Sequence, residues 1–177
     1  LNMIVHKGRT IFIGDTSVHE YPTSEQMAEI AISTARVVRL FGFDPKVAFV
    51  SHSTFGQPLT SRTKHIRNAV EILKENKVDF EFDGDMQPDV ALNAEYEELY
   101  PFSKIVGKAN ILIMPGQHSA AISYKIMKTI GDAKVIGPLL VGLGLPIEIA
   151  PLRSSTSEIL NLASIAAYSA DVIDYKK

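Results

Sequence analysis

The stretch VAFVSHSTFGQP, from Val47 to Pro58, combines the two features that decide the fold. It begins with four apolar residues and continues directly into a polar loop that is rich in hydroxyl groups and closed by Gly56. A continuous apolar run bounded by turn residues is typical of a strand buried on both faces of a parallel sheet. In such sheets ligands bind beyond the carboxyl ends of the strands. We therefore predict an α/β fold whose ligand-binding edge carries the hydroxyl side chains of Ser51, Ser53 and Thr54.

Two further stretches repeat this arrangement. Residues 10–16 (TIFIGDT) and 109–114 (ANILIM) are apolar runs that lead into short loops of small or polar residues. A helix is predicted after the first loop, with Thr23 and Gln26 as its capping box and Gly42 as its end. Apolar spacing predicts further helices over residues 61–76 and 120–130. These strand, loop and helix units predict a three-layer αβα architecture with a mainly parallel, doubly wound sheet.

The remaining segments give weaker patterns. Residues 78–82 alternate apolar and acidic side chains, which predicts a strand with one solvent-facing side, and residues 83–89 (DGDMQPD) predict an acidic loop. This loop lacks the downstream glutamate of a calcium-binding loop, and we predict no metal site there. Residues 136–143 predict another strand. Ser155 and Glu158 form the expected capping box of a final helix that runs through Ala170.

Composition excludes several classes of partner. The 177 residues include 18 Lys and Arg and 20 Asp and Glu, so the formal net charge of -2 argues against nucleic acid or an anionic membrane as the main partner. The chain has no cysteine, and its apolar runs are far shorter than the ~20 residues of a membrane span. We expect one compact domain in the cytoplasm. Because the chain begins at Leu1 rather than at Met, we also expect it to be a fragment.

The residues themselves favour binding over covalent catalysis. A Gly-x-Ser-x-Gly elbow, a phosphate loop ending in Gly-Lys-Ser/Thr and a Gly-x-Gly-x-x-Gly turn are all absent. Backbone amides, hydroxyls and nearby cations remain, and these groups suit a phosphate or pyrophosphate. The first turns of the helix at residues 61–76 carry basic side chains that form either a solvated face or part of this anion site, namely Arg62, Lys64, His65 and Arg67.

Six stretches in order along the chain carry a more specific signal. They read FIGDTSVHEYPTSEQMAEIA, VAFVSHSTFGQP, FDGDMQPDVAL, GKANILIMPGQHSAAISYK, IGPLLVGLGLPIEI and RSSTSEI. Together they resemble the phosphate acetyl/butyryltransferase family. The resemblance implies that residues 1–150 form the second α/β domain of the phosphotransacetylase fold. It implies that residues 151–177 form the C-terminal helix, which packs on or towards a first domain that this chain lacks.

Departures from the family motifs bear on activity. The resemblance implies a Ser-x-Ser-Thr-Lys-Gly loop in active transferases, and here Phe55 replaces the lysine. A later Asp-Leu-Ser-Arg-Gly motif is also altered, because Pro151 and Leu152 occupy the Ser and Arg positions and Arg153 is displaced by one residue. Glu158 stands where the family carries an aspartate implicated in acid/base chemistry. An asparagine expected near Ala121 is missing as well, so we expect transfer chemistry to be lost.

The resemblance leaves several functions open. One group of relatives, the bacterial NADP-dependent malic enzymes, resembles a malate-oxidising unit fused to such a module, and an aromatic residue at the lysine position favours this group. The first hypothesis is therefore a degenerate module that binds acetyl-CoA as a regulator, with NADP and a divalent metal in the missing part of the parent enzyme. The alternatives are an active phosphate acetyltransferase and an oligomerisation module, and a homo-oligomer is expected.

The resemblance also implies a set of ligand-binding residues. We assign no catalytic residue, although Glu158 stands at the family acid/base position. The partners implied are acetyl-CoA or a related CoA thioester and the missing upstream domains of the same chain. The implied ligand-binding residues are Ser51, Ser53, Thr54, Gly56, Arg153, Ser155 and Glu158.

Overall fold

A six-stranded sheet forms the centre of the computed structural model, which describes residues 1–143 and 145–172. The spatial order of the strands is β4-β3-β5-β2-β1-β6. Strands β2 to β5 are mutually parallel, whereas β1 runs antiparallel to both of its neighbours, β2 and β6. The strands are β1 (Asn2–His6), β2 (Arg9–Gly14), β3 (Lys46–Val50), β4 (Glu81–Met86), β5 (Ile111–Ile113) and β6 (Lys134–Ile136).

Helices cover both faces of this sheet. Side chains of α1 and α2 pack with Phe12 and Phe49 in one apolar cluster, while side chains of α3 and α4 pack with Val50 and Leu112 in a second cluster. Because successive strand residues point to opposite faces, β3 contributes to both clusters. The three-layer αβα prediction is therefore confirmed. The helices are α1 (Ser24–Leu40), α2 (Ser61–Glu75), α3 (Pro88–Leu92), α4 (Gln117–Ile130) and α5 (Thr156–Val172), with a 3-10 turn at Ala94–Glu98.

The last helix, α5, packs against the rest of the chain. Leu162 is buried in the first apolar cluster, and the hydroxyl of Tyr168 donates to the carbonyl of Leu40 at 3.1 Å. Residues 173–177 of the predicted C-terminal segment lie outside the described residues. The division into a body of residues 1–150 and a C-terminal helix stays a prediction. None of the helices in the two described ranges is long and apolar enough to cross a membrane.

The acidic segment after residue 82 was predicted incorrectly. Strand β4 covers Glu81–Met86 instead of residues 78–82, and all of its residues from Phe82 onward are buried. The two aspartates that suggested a loop have partners inside the protein. The Asp83 carboxylate accepts hydrogen bonds from the backbone N–H groups of Gly84 (2.9 Å) and Lys104 (2.8 Å). Buried carboxylates are tolerated where such donors replace water.

Two further strand assignments also differ. Strand β1 was not predicted, and it joins β2 through a tight turn at Lys7 and Gly8, which both have positive φ, as the hairpin turn of this twist requires. The prediction of a strand over residues 136–143 is wrong, because β6 covers Lys134–Ile136 and ends where that strand was expected to begin. Gly137 turns the chain, and Pro138 has no N–H to donate to a neighbouring strand. Beyond it, Leu139 forms an isolated bridge with Glu148 and exchanges backbone hydrogen bonds with Leu1.

Candidate functional site

The hydroxyl loop, residues 51–57, begins where β3 ends. The backbone N–H of Ser51, its first residue, donates to the carbonyl of Met86 at 2.9 Å. Two backbone hydrogen bonds then close the turn. The N–H of Thr54 donates to the carbonyl of Gln57 at 3.4 Å, and the N–H of Gln57 donates to the carbonyl of Thr54 at 3.1 Å. The loop is therefore a closed turn that is hydrogen-bonded to the last residue of β4.

A buried carboxylate lies beneath this loop. Asp85 of β4 has 0% exposure, and its carboxylate accepts a short hydrogen bond from the Ser53 hydroxyl. The other carboxylate oxygen accepts from the backbone N–H of Gly56 at 3.0 Å. The Thr54 hydroxyl oxygen accepts from the backbone N–H of Gln87 at 3.2 Å. The predicted loop residues are thus brought together, and their polar groups bond mainly to β4 and the residue that follows it.

Phe55 occupies the position at which the resemblance implies a lysine. Its backbone N–H donates to the Asp85 carbonyl at 2.6 Å, and its φ of 49° places the loop in a left-handed turn. The ring lies 5.4 Å from that of Tyr100 and 4.8 Å from that of Phe102, measured between centroids. Such distances are typical of attractive aromatic pairs. This side chain adds an aromatic cluster to the site and no positive charge.

The basic side chains at the start of α2 are either exposed to solvent or hydrogen-bonded to other parts of the chain. The His65 ring lies 3.0 Å from the Ser24 hydroxyl and 2.8 Å from the Pro22 carbonyl, measured from its two nitrogens. A guanidinium nitrogen of Arg67 donates to the Phe55 carbonyl at 3.4 Å. Arg62 and Lys64 are exposed to solvent. Three of the four side chains are thus exposed, which favours the solvated face over an anion site shared with the hydroxyl loop.

The start of α5 forms the second group of predicted residues. Ser155 and Glu158 make the predicted capping box: the backbone N–H of Ser155 donates to the Glu158 carboxylate at 2.8 Å, and the N–H of Glu158 donates to the Ser155 hydroxyl at 3.3 Å. The Lys128 ammonium also donates to Glu158 at 3.0 Å. The bond from Ser155, followed by the bond and charge of Lys128, lowers the pKa of Glu158 to about 2.

A cleft beside this helix start is rich in cations. It lies between α4 and the segment that leads into α5, and Arg153 is exposed in it. A cleft lined by several ammonium or guanidinium groups suits phosphate-bearing ligands. Its polar lining residues are Tyr124, Lys125, Lys128, Arg153, Ser154, Glu158 and Asn161.

The structure does not bring the two predicted groups into one cavity within the described ranges. The hydroxyl loop follows β3, whereas the helix start follows β6, and strands β5, β2 and β1 lie between them. At about 4.8 Å per strand spacing, β3 and β6 are roughly 19 Å apart. A ligand that contacts both groups would therefore need the length of an extended cofactor.

The sequence did not identify Asp85 as part of the site. Asp85 precedes Met86 in a segment that reads as a turn, and its partner Ser53 lies 32 residues earlier in the chain. Only the pairing of β3 with β4 brings the two residues together. No local spacing signal could have found this contact. Among the described residues, no group of three or more His, Cys, Asp or Glu side chains is arranged to hold a metal ion.

We expect Glu158→Gln to change how stability depends on pH. The folded-state pKa of Glu158, about 2, lies below its ordinary value of 4.5, so the ionised form favours folding. This contribution is present above pH 4.5 and is lost as the pH falls towards 2. In urea unfolding across this range, the variant should lose less stability than the wild type. Glu29→Gln, on the exposed side of α1, should behave as the wild type does, and identical curves for all three proteins would contradict the prediction.

Comparison with known proteins supports the resemblance. The profile of the family described as phosphate acetyl/butaryl transferase matches residues 1–167. The chain belongs to this family. It is 49% identical over 164 residues to the NADP-dependent malic enzyme of Rhizobium meliloti, covering 93% of this chain and 22% of that enzyme. It is 36% identical over 162 residues to the phosphate acetyltransferase of Clostridium acetobutylicum, covering 90% of this chain and 49% of that enzyme.

A solved structure agrees with the fold. A phosphotransacetylase from Streptococcus pyogenes superposes with a TM-score of 0.90 at 32% identity, over 96% of this chain and 53% of that protein. The chain therefore spans about half the length of these two phosphotransacetylases and under a quarter of the length of the malic enzyme. Among these relatives, the malic enzyme shares the higher sequence identity.

Proposed function

We propose that this family member is the C-terminal module of an NADP-dependent malic enzyme and binds acetyl-CoA as a regulator. The parent enzyme would convert malate to pyruvate and CO₂, with NADP and a divalent metal bound in its other domains. The 49% identity to the malic enzyme of Rhizobium meliloti supports this parent. The module itself would not transfer acetyl groups.

The environment of Phe55 is the observation that carries this proposal. An acetyltransferase of this family would place an ammonium at this position to bind phosphate, and here the ring packs with Tyr100 and Phe102 instead. An aromatic side chain in such a cluster cannot supply the lost charge. Without that cation, the charge that develops on a transferring acyl phosphate would lack one of its stabilising partners.

Glu158 supports the same conclusion. A general base works best when its pKa lies near the operating pH. The pKa of Glu158 is lowered to about 2 by its bonds to Ser155 and Lys128. At neutral pH such a carboxylate is a weak base, and it would not take a proton from the CoA thiol efficiently. Its role as a helix cap accounts for its contacts.

The predicted ligand-binding residues are retained as the proposed contact surface. Arg153 is exposed in the cation-rich cleft, where it would meet the phosphate groups of CoA. Ser51 is partly exposed at the start of the hydroxyl loop, where it would meet the thioester end. The remaining residues shape these two regions, namely Ser53, Thr54, Gly56, Ser155 and Glu158. The roughly 19 Å between the strands that lead to the two regions suits an extended ligand of this kind.

We expect acetyl-CoA to change malate turnover by the full-length protein. Allosteric coupling of about 1–3 kcal/mol corresponds to about a 5- to 150-fold change in affinity. Steady-state assays over a range of malate and acetyl-CoA concentrations would measure it. Arg153→Gln should weaken the response to acetyl-CoA, while Arg62→Gln, which removes an exposed charge on α2, should leave it unchanged. Malate turnover that is insensitive to acetyl-CoA would contradict the proposal.

An active phosphate acetyltransferase is the second candidate. The close fit to the phosphotransacetylase of Streptococcus pyogenes favours it, as does the retention of Ser51, Ser53, Thr54 and Gly56 in the loop. The same full-length protein should be assayed for acetyl phosphate formation from acetyl-CoA and phosphate. Clear turnover that Glu158→Gln abolishes would favour this candidate over the regulatory module.

A homo-oligomer is proposed alongside either function. Large apolar side chains are exposed on α4, on the segment before α5 and on α5 itself, and such surfaces commonly mark interfaces. A monomer in light scattering of the full-length protein would contradict this proposal. The exposed residues are Ile122, Ile126, Ile130, Leu145, Ile147, Ile149, Leu152, Ile159 and Leu160.

A further inference from the structure

The neighbouring strands β2 and β5 send the chain in opposite directions beyond their carboxyl ends. The two strands run parallel and pair directly. After β2 the chain enters α1, on the face of the first apolar cluster, and continues to β3 on one side of the pair; after β5 it enters α4, on the other face, and continues to β6 on the other side. In doubly wound sheets ligands bind outside the strand ends at such a reversal, the topological switch point.

The loops that follow β2 and β5 pack against each other at this switch point. The backbone N–H of Gln117 donates to the carbonyl of His19 at 3.1 Å. A Cβ at Gly116 would collide with the carbonyl oxygen of Glu20, so a glycine is needed for the two backbones to approach so closely. Backbone therefore fills the space between the loops, and a ligand at the switch point has to lie over them.

The outer surface of these loops carries a pair of stacked rings. The rings of Tyr21 and His118 lie 6.3 Å apart between centroids, with 16° between their planes. A ring nitrogen of His118 lies 3.2 Å from the Glu20 carboxylate, a contact that helps to hold the imidazole beside the tyrosine. Tyr21 is 77% exposed, so its ring is accessible to a ligand.

The charges of the two loops limit what can bind over them. Residues 15–23 read DTSVHEYPT and residues 114–118 read MPGQH, so neither loop contains a lysine or an arginine. These loops offer a phosphate no guanidinium or ammonium group, unlike the cleft that contains Arg153. The exposed ring of Tyr21 instead suits an uncharged and partly apolar segment of a ligand.

The ring pair lies between the two ends of the ligand proposed above. Strands β5 and β2 are placed between β3, which leads to Ser51, and β6, which leads to Arg153. All four strands end at the same edge of the sheet, because β2 and β6 both run antiparallel to β1. A CoA thioester with its phosphates at Arg153 and its acyl end at Ser51 has to cross the switch point. The part of CoA between these ends is the uncharged pantetheine arm.

We propose that the pantetheine arm of a CoA thioester lies across the rings of Tyr21 and His118, and that Tyr21 is a specificity-determining residue. Its contact distinguishes a CoA thioester from adenine nucleotides, which share the phosphate groups but lack the arm. This inference deepens the proposed function, on which it rests, by naming the part of the regulator that the switch point recognises.

Isothermal titration of acetyl-CoA into the full-length protein tests this inference. Tyr21→Ala should raise the Kd about fivefold or more, because apolar contact area with the arm is lost. Tyr21→Phe keeps the ring and should bind as the wild type does. Leu99→Ala is the matched control, since Leu99 is 66% exposed but follows the 3-10 turn instead of β2. The affinity for ADP, which has the adenine and pyrophosphate of CoA but no arm, should be the same in Tyr21→Ala and the wild type.

Unchanged affinity for acetyl-CoA in Tyr21→Ala would overturn the inference and leave the regulatory proposal intact. An equal loss of affinity for acetyl-CoA and ADP would also overturn it, because the ring would then not act through the arm. Circular dichroism of each variant would establish folding. Acetyl-CoA binding that depends on Tyr21, combined with malate turnover that ignores acetyl-CoA, would reject the proposed regulation alone. A wild type that does not bind acetyl-CoA would reject both.

Discussion

Gly84→Ala is expected to destabilise the folded chain by about 2–6 kcal/mol, the sum of overpacking and backbone strain. A Cβ at this position would lie 2.6 Å from the backbone oxygen of Phe49 and 2.7 Å from its Cβ. Both atoms belong to the neighbouring central strand and cannot move aside as a flexible side chain would. The φ of Gly84 is +154°, a region that residues with a side chain rarely adopt.

Urea unfolding would measure this loss, with Gly42→Ala as the control. Gly42 has a φ of +81°, but no atom lies within 4 Å of the position of its added Cβ. Only the cost of a left-handed backbone remains there, about 1–2 kcal/mol. The larger loss expected for Gly84→Ala therefore reports the close contact of β4 with β3 together with the backbone strain at Gly84. Equal losses of stability would show that this contact is not tight in solution.

Phe49→Ala is expected to cost about 3–5 kcal/mol, the usual range for removing a buried phenylalanine. Phe49 lies in β3 with 0% exposure and packs in the apolar cluster formed with α1 and α2. The substitution leaves a cavity directly before the hydroxyl loop, and neighbouring strands restrict its collapse. Because the cavity lies beside the end of β3, we also expect the hydroxyl loop to be less rigidly held in this variant.

Phe102→Ala provides the matched control for this substitution. Phe102 is 64% exposed and contacts mainly the rings of Phe55 and Tyr100. Removal of these aromatic pairs should cost about 0.5–1.5 kcal/mol. The midpoint of urea unfolding should therefore fall much further for Phe49→Ala than for Phe102→Ala. Similar midpoints for the two variants would contradict the assignment of Phe49 to the core.

The pairing of β3 with β4 determines where the hydroxyl loop lies. Phe49 and Gly84 hold the two strands together, and one residue beyond each of them the strands carry Val50 and Asp85 towards the hydroxyl loop. The loop is therefore positioned by strand residues that are themselves buried. The buried Asp85 carboxylate is held in place by the Ser53 hydroxyl and the Gly56 backbone N–H.

The sequence alone determined the fold class and most of the helices. Apolar runs at β2, β3 and β5 are long enough to specify buried strands, and the capping residues at Thr23 and Ser155 specify where α1 and α5 begin. These signals are local: each depends on residues within a few positions of one another. The family resemblance rests on the same local stretches, and the profile match and the solved structure confirmed it.

The role of the acidic segment depends on contacts that form only in the folded chain. Asp83 and Asp85 have the composition of a turn, yet donors from distant residues allow both to be buried inside β4. Likewise, the separation of the hydroxyl loop from Arg153 follows from the order of strands, which no spacing along the chain encodes. The physical reason is the same in both cases. A charge can be buried only where the folded chain brings partners to it, and those partners lie far away in the sequence.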